Sequence, residues 1–359
     1  MSDIVRLELT DFRNLAGLTF EPPAGQLTVV QGENGTGKTS LLEAIAYASL
    51  ARSFRTAARE VLVRSGAPRA VLRLHLDAAS RQVLTEIEIA PPRRDRVLLN
   101  RQTLRRVGDL LESLRVTVFT PDDLELVKGG PAGRRQLLDD LLDSVDPRMV
   151  VTRQTVERVL RQRNTLLRQA AGRATPEILA TLDVWDDQLA TAGTFLVAAR
   201  ERLVGRLEPH ARAAFARLTS CTGELALTYR RSFGDDLDKA LARGRAEDIR
   251  RGVTGVGPHR DDLGIDLGDL DARTRLSQGR QRAVTLALRL GSHAVVEQST
   301  GVRPVLLLDD AFSELDGPTS TALAAQLPPG QAVLTTAGPL PQGLDPARVL
   351  TLSAGQLAA

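Results

Sequence analysis

Gly32-Glu33-Asn34-Gly35-Thr36-Gly37-Lys38-Thr39 has the form G-x-x-x-x-G-K-T, and its flanks decide how it is read. The apolar run Leu27-Thr28-Val29-Val30 before it predicts a buried strand, and Ser40-Leu41-Leu42-Glu43-Ala44-Ile45 after it opens an amphipathic helix. Strand, glycine-rich loop and helix start together make a phosphate cradle. Glycines let successive backbone N–H groups converge on phosphate oxygens, and the helix start adds the positive end of its dipole. In such a cradle Lys38 reaches the β- and γ-phosphates and Thr39 holds Mg2+ through its hydroxyl. Gly32, Glu33, Asn34, Gly35, Thr36, Gly37 and Ser40 complete the wall around a nucleoside triphosphate, expected to be ATP.

A loop of this kind also needs an acidic residue at the end of a second buried strand. Val305-Leu306-Leu307-Leu308-Asp309-Asp310 supplies it, about 270 residues beyond Thr39. Asp309 is expected to share Mg2+ with Thr39, and Asp310 to orient or deprotonate the attacking water. The separation exceeds that of a compact small-molecule kinase or a small GTPase, so the core must carry an insertion. Residues 134–250 read as strongly helical, with breaks expected at Gly172, Pro176 and Pro209 and no heptad array of coiled-coil length. Gln331-Ala332-Val333-Leu334-Thr335-Thr336 reads as another buried strand.

Between the helical region and the acidic strand lies Leu276-Ser277-Gln278-Gly279-Arg280-Gln281-Arg282, followed by an apolar helix through Ala283, Leu286, Ala287 and Leu290. Ser277 as N-cap and Gly279 in the first turn would expose free N–H groups, and Arg280 and Arg282 add positive charge. Shortly before the acidic strand, this is where ABC-type ATPases carry the signature that meets the γ-phosphate held by another subunit's loop. Ser313-Glu314-Leu315-Asp316 then fits the D-loop of the same class, with Glu314 and Asp316 as its acidic members.

The chain has 359 residues, 42% of them apolar, which is enough for a large core and roughly two domains. A net charge of +3 permits a nucleic-acid partner without requiring one. Only Lys38, Lys128 and Lys239 are lysines, so positive charge is almost all arginine, an enrichment that phosphate recognition and an arginine-favouring genome explain equally well. The single Cys221 excludes an intrachain disulfide and reads as a small buried residue, and four scattered histidines offer no zinc constellation. Ile4-Val5-Arg6-Leu7-Glu8-Leu9 already alternates like a strand, and no run of eighteen apolar residues follows. The expectation is a cytoplasmic protein without export signal or membrane span.

In their order and spacing these pieces resemble the RecF family, recombination mediators in the SMC-like branch of the ABC ATPases. The resemblance runs nearly end to end. It is carried by Leu9-Thr10-Asp11-Phe12-Arg13-Asn14-Leu15, the glycine-rich loop through Ile45, Ser53-Phe54-Arg55, Pro121-Asp122-Asp123-Leu124, and Lys128-Gly129-Gly130-Pro131 to Arg134-Arg135 and Leu138-Asp139. It continues in Gly257-Pro258-His259-Arg260-Asp261-Asp262-Leu263, Ser277-Gln278-Gly279, and Leu308-Asp309-Asp310 to Glu314-Leu315-Asp316. It implies an α/β, ABC-type P-loop ATPase head with a split nucleotide-binding lobe and a mainly helical second lobe. Lobe boundaries are expected at 1–112 with 303–359, and 113–302 with the signature.

The resemblance further implies that Arg13 and Asn14 lie beside the nucleotide and that Ser277, Gln278, Gly279 and Arg280 act in trans, so that ATP is sandwiched in a homodimer. A 100-fold preference of ATP for the dimer would supply about 2.7 kcal/mol per site. The implied activity is a weak, DNA-stimulated hydrolysis of ATP to ADP and phosphate, acting as a switch. The implied role is DNA-damage repair, the SOS response and replication-fork recovery, where the protein binds duplex, gapped or junction DNA and promotes RecA loading with RecR and RecO. Asp310 stands where many ABC ATPases have glutamate, and its shorter reach predicts slow turnover. A transporter ATPase subunit is an alternative, although Thr335-Thr336-Ala337 replaces its usual switch histidine; a non-hydrolysing DNA clamp is another.

For DNA the informative segments are Pro92-Arg93-Arg94-Asp95-Arg96, with Arg101, Arg105 and Arg106, and a helix whose Arg153, Arg158, Arg161 and Arg168 share one face opposite Val156, Val159, Leu160, Leu166 and Leu167. With 3% aromatics, contacts to duplex phosphates fit better than base stacking. An ordinary solvated helix face remains the alternative there, and it is the favoured reading for Asp139, Asp140 and Asp143, whose helical spacing resembles a carboxylate cluster. His259 is expected to make a structural hydrogen bond, and Trp185 to anchor the helical core.

Overall fold

A computed structural model of the chain describes residues 2–55, 58–78, 81–106 and 108–358. It separates into two compact units, one of Met1–Leu124, His210–Thr222 and Gln278–Ala359, the other of Glu125–Pro209 and Gly223–Ser277. The α/β head with a split nucleotide-binding lobe and a mainly helical second lobe is the architecture observed. The units are drawn differently from the expected lobes. Strand Val116–Phe119 pairs in parallel with Val305–Asp309, and helix Gln278–Thr300 packs on that strand, so both fall in the first unit.

In the first unit, strands Arg348–Ser353, Leu27–Gln31, Ala332–Thr336, Val305–Asp309 and Val116–Phe119 lie parallel in that order, and Gln356–Ala358 closes one edge antiparallel. The runs Val-Leu-Leu-Leu-Asp and Ala-Val-Leu-Thr-Thr are buried at every position. Continuous apolar sequence of this kind is what a parallel sheet covered on both faces requires. One strand thus stands between the glycine-rich loop and the acidic strand, with Thr335 in register with both Val30 and Asp309.

A second sheet of the same unit is antiparallel, in the order Leu15–Phe20, Ser2–Phe12, Ala70–Ala78, Arg81–Ile89, Arg96–Leu99 and Gln102–Thr103. Helix Lys38–Leu50 packs against strands of both sheets. It is buried almost all round rather than on one stripe, and its buried positions include Lys38, Ser40 and Glu43. The amphipathic expectation therefore gives way to a core helix whose polar residues need partners.

The second unit holds helices Pro131–Val145, Met149–Ala170 and Leu237–Arg251, together with most of Pro176–Leu218. It also contains a three-stranded antiparallel sheet of Leu225–Arg230, Asp262–Leu267 and Leu270–Asp271, which no sequence pattern above had flagged. The expected breaks at Gly172 and Pro176 are present, with Gly172 at φ 81° and Pro176 opening the next helix. Pro209 breaks nothing. The helix runs through it, flanked by fully buried Leu207 and Ala211, and burial on both sides offsets a proline cost of about 3 kcal/mol. Trp185 and Cys221 are only half-buried; Leu182 and Leu189 are the core anchors of that helix. No helix among the described residues is long and apolar enough to cross a membrane.

Candidate nucleotide-binding site

The glycine-rich loop is moulded by its neighbours before any phosphate is considered. A Cβ on Gly32 would stand 2.4 Å from the Leu352 carbonyl oxygen, and one on Gly37, at φ 110°, would stand 2.6 Å from the Leu15 side chain and 3.2 Å from that of Asn14. Only glycine fits either place. Asn14 grips the loop directly, its Nδ2 donating to the Gly35 carbonyl at 2.9 Å and its Oδ1 accepting from the Ser40 hydroxyl at 2.9 Å. Lys38 Nζ donates to the Gly32 and Glu33 carbonyls at 2.7 and 2.8 Å, folded over the loop it serves.

Opposite the loop, Thr39 Oγ1 donates to Asp309 Oδ1 at 2.9 Å, so residues 270 positions apart meet in one hydrogen bond. Thr335, on the intervening strand, donates from its Oγ1 to the same oxygen at 2.8 Å. Burial pushes the Asp309 carboxyl above the ordinary range, while the Thr335 and Thr39 donors pull it back. Asp310 follows at φ 48°, a strained conformation for a side-chain-bearing residue, and its buried Oδ1 has no hydrogen-bond partner among the described residues. Both carboxylates and the loop line one cleft of about 900 Å3, with Arg13, Arg55, Glu60, Val61, Val63, Arg64, Ser65 and Pro121.

These residues fit Mg-ATP. A buried carboxylate pushed upward and an orphaned carboxylate oxygen both gain from a nearby cation or an ordered water. No group of three His, Cys, Asp or Glu among the described residues is placed to hold a metal alone. Thr39 and Asp309 would therefore hold Mg2+ together with phosphate oxygens, in keeping with that ion's habits.

Arg13 does line the cleft, at φ 55°, but its guanidinium is engaged by Glu43, with bonds of 2.8 and 2.6 Å. Glu43, fully buried on the loop helix, also accepts from Ser53 Oγ at 2.5 Å and lies 3.7 Å from Arg55. Sequence reading left Glu43, Arg55 and Thr335 without roles. Thr335 had a signal, since the buried strand puts it level with Asp309; the Glu43 hub brings together residues from Arg13 to Arg55 and had none.

Ser277, Gln278 and Gly279 are exposed and Arg280 is half-buried, with the helix beginning at Gln278. Arg282 is spent elsewhere: Nη1 donates to the Glu314 carbonyl at 2.6 Å, and Nη2 pairs with the Glu314 carboxylate. Asp316 caps helix Gly317–Gln326, accepting from the Thr319 N–H at 2.8 Å.

The basic residues divide. Arg93 and Arg94 are exposed, as are Arg158, Arg161 and Arg168. Arg153 is not available to a partner: its side chain is 17% exposed and pairs with Asp143 at 3.0 Å and Glu157 at 2.7 Å. Asp139 and Asp143 are buried rather than solvated, Asp139 under Arg200 at 2.8 Å and Asp143 under Arg153. The Asp261-Asp262 pair is likewise consumed. Asp261 accepts from Tyr229 and from the Ser232 N–H, both at 2.7 Å, and Asp262 takes a two-pronged contact from Arg134 at 2.8 and 2.9 Å. His259 Nε2 lies 3.1 Å from the Thr254 carbonyl, the structural bond expected of it.

The family described as RecF/RecN/SMC N terminal domain matches residues 3–332. The DNA replication and repair protein RecF of Beutenbergia cavernae is 41% identical, with 96% of each chain covered, and that of Streptomyces avermitilis is 41% identical over 93% of each. Among solved structures, the recombination mediator protein RecF with ATP superposes at a TM-score of 0.90 and 26% identity, covering 99% of this chain and 97% of that one. The Smc head domain of Pyrococcus furiosus, at a TM-score of 0.58 and 16% identity, covering 99% of this chain and 95% of that one, shares the fold.

Proposed function

The chain belongs to the RecF family of the RecF/RecN/SMC proteins, and from that premise we propose that it is an ATP-switched, DNA-binding protein of replication and repair. One observation carries the reading: Lys38, Thr39, Asp309 and the unpartnered Asp310 oxygen face a single cleft large enough for a nucleotide. Lys38 exchanges its two loop carbonyls for β- and γ-phosphate oxygens, and the loop amides hold the remainder. Mg2+ supplies charge neutralisation on the phosphates. Asp310 holds the attacking water or takes its proton through Oδ1, and its short side chain keeps turnover slow.

The exposed start of the signature helix is available to a second copy's γ-phosphate, so two chains sandwich two nucleotides and ATP drives dimerisation. Arg93, Arg94, Arg161 and Arg168 contact duplex phosphates at gaps or junctions, and dimerisation doubles those contacts. Hydrolysis releases the DNA. The protein works in the cytoplasm with RecR, RecO and RecA, promoting RecA loading. RecR and RecO follow the RecFOR pathway named for one relative, a recombination mediator; RecA and the cytoplasmic location are what the family resemblance implies.

The test is solution mass of wild type, Lys38→Met and Ser277→Arg, with and without Mg-ATP and duplex DNA. ATP should convert wild type to a DNA-binding dimer, Lys38→Met should not bind ATP, and Ser277→Arg should bind it as a monomer. A wild type that stays monomeric with saturating Mg-ATP sinks the trans arrangement.

A further inference from the structure

The cationic tip of the antiparallel sheet and the nucleotide cleft are joined by one carboxylate that neither uses. Asp95 lies between exposed Arg94 and exposed Arg96, yet its own side chain is only 13% exposed. Asp95 Oδ2 accepts from the Tyr47 hydroxyl at 2.5 Å, and Oδ1 pairs with Arg59 Nη2. The same Arg59 nitrogen donates to the Arg93 carbonyl at 2.5 Å, so the peptide joining exposed Arg93 to exposed Arg94 is held from inside.

Both partners lead to the nucleotide. Tyr47 sits on helix Lys38–Leu50, which begins with the phosphate-binding lysine and the hydroxyl bonded to Asp309. Arg59 opens the short helix Arg59–Leu62, whose Glu60 and Val61 line the cleft. That segment is pinned in turn: Arg13 Nη1 donates to the Val61 carbonyl at 3.3 Å, the Arg13 N–H to the Leu62 carbonyl at 2.8 Å, and Arg64 Nε to Asp11 at 2.6 Å. Burial and the Asp95 carboxylate hold the Tyr47 hydroxyl above its ordinary range, so it stays a donor at neutral pH.

The Arg93 and Arg94 side chains form no ion pair among the described residues. A phosphate bound at Arg93 and Arg94 pulls on a backbone that Arg59, itself held by Asp95, keeps in place. We infer that Asp95 is a positioning residue that transmits duplex DNA bound at Arg93 and Arg94 to the nucleotide cleft, through Tyr47 on the loop helix and Arg59 on the cleft wall. This rests on the proposed ATP and DNA activities and adds the route between them. Coupling of this type needs an element that both sites bias, and the Arg59–Leu62 segment is that element.

The experiment measures ATP hydrolysis by the full chain, with and without duplex DNA, for wild type, Asp95→Ala and Tyr47→Phe, alongside DNA affinity at two salt concentrations. Asp95→Ala should hydrolyse ATP alone at the wild-type rate and bind DNA with wild-type affinity and salt dependence. Its stimulation by DNA should fall by at least about two-fold, the low end for mutations along such networks. Tyr47→Phe, which removes one hydroxyl, should fall in the same direction and carries the test if Asp95→Ala does not fold. Stimulation retained in Tyr47→Phe and in any folded Asp95→Ala overturns the inference. So does equal loss of DNA affinity and stimulation, which would make Asp95 part of the binding surface alone. If DNA fails to stimulate the wild type, the proposed DNA-switched activity falls first and takes the inference with it.

Discussion

The two units treat charge in opposite ways. In the second, the charges that look most like a functional cluster are paired internally: Arg134 with Asp262, Arg200 with Asp139, and Arg163, fully buried, with Asp186 at 2.6 Å and Asp248 at 2.8 Å, although its Nη2 has no hydrogen-bond partner among the described residues and opens on no cleft described above. In the first, the cleft keeps valence in reserve, with an Asp310 oxygen unpartnered among the described residues and a lysine bonded to carbonyls of its own loop. Density of charged motifs in a sequence therefore says little about chemistry; unspent bonding capacity says more. Buried ion pairs hold shape, because removing one partner strands the other in a medium that cannot solvate it.

That contrast can be broken most forcefully at Arg163. Arg163→Met leaves Asp186 without one of its two arginine partners and Asp248 without its guanidinium, and should cost about 3–5 kcal/mol in urea unfolding. A loss below about 1 kcal/mol would mean that the network is not structural. The matching change in the cleft, Asp310→Asn, should leave stability and ATP affinity intact. It should slow single-turnover hydrolysis by roughly 100-fold or more, the low end for losing a general base. Reversed outcomes, with Asp310→Asn unfolding and Arg163→Met inert, would erase the distinction between the units.

A smaller effect sharpens it through pH. Burial pushes both His293, in the first unit, and His259, in the second, down to about 4 from an ordinary 6.5. A depressed value means the native fold keeps the ring neutral while the unfolded chain takes up a proton. Each histidine's contribution is therefore present above about pH 6.5 and lost as pH falls toward 4. Among the described residues His293 has no hydrogen bond on either ring nitrogen, whereas His259 has one on Nε2. His293→Leu should flatten the acid limb of a stability–pH curve with little cost at pH 7. His259→Leu should flatten it too, but lower stability at pH 7 by about 1 kcal/mol through the stranded Thr254 carbonyl.

Sequence made the cleft's chemical residues legible because each lies in a contiguous signal: the loop between strand and helix, and Asp309 at the end of an unbroken apolar strand. What escaped was whatever depends on contacts across the fold. Arg163 and Arg161 differ by two positions and nothing else in composition, yet one is buried and the other exposed. A signal did exist, since Val156, Val159, Leu167 and Ala170 form the buried stripe on which Arg163 falls, and a guanidinium on an apolar stripe calls for buried acids. For Asp95, a charged neighbourhood suggested exposure, and only Tyr47 and Arg59, 48 and 36 positions away, explain why it is sheltered.

Gly32 is shaped by a carbonyl of Leu352, on a strand that ends six residues before the C-terminus of this 359-residue chain. The eight-residue loop is made about 320 residues before the surface that backs it. A product cut short by a damaged message would carry the complete motif and still lack the edge against which it is moulded. For such a fragment, possession of the motif is no certificate of a working site.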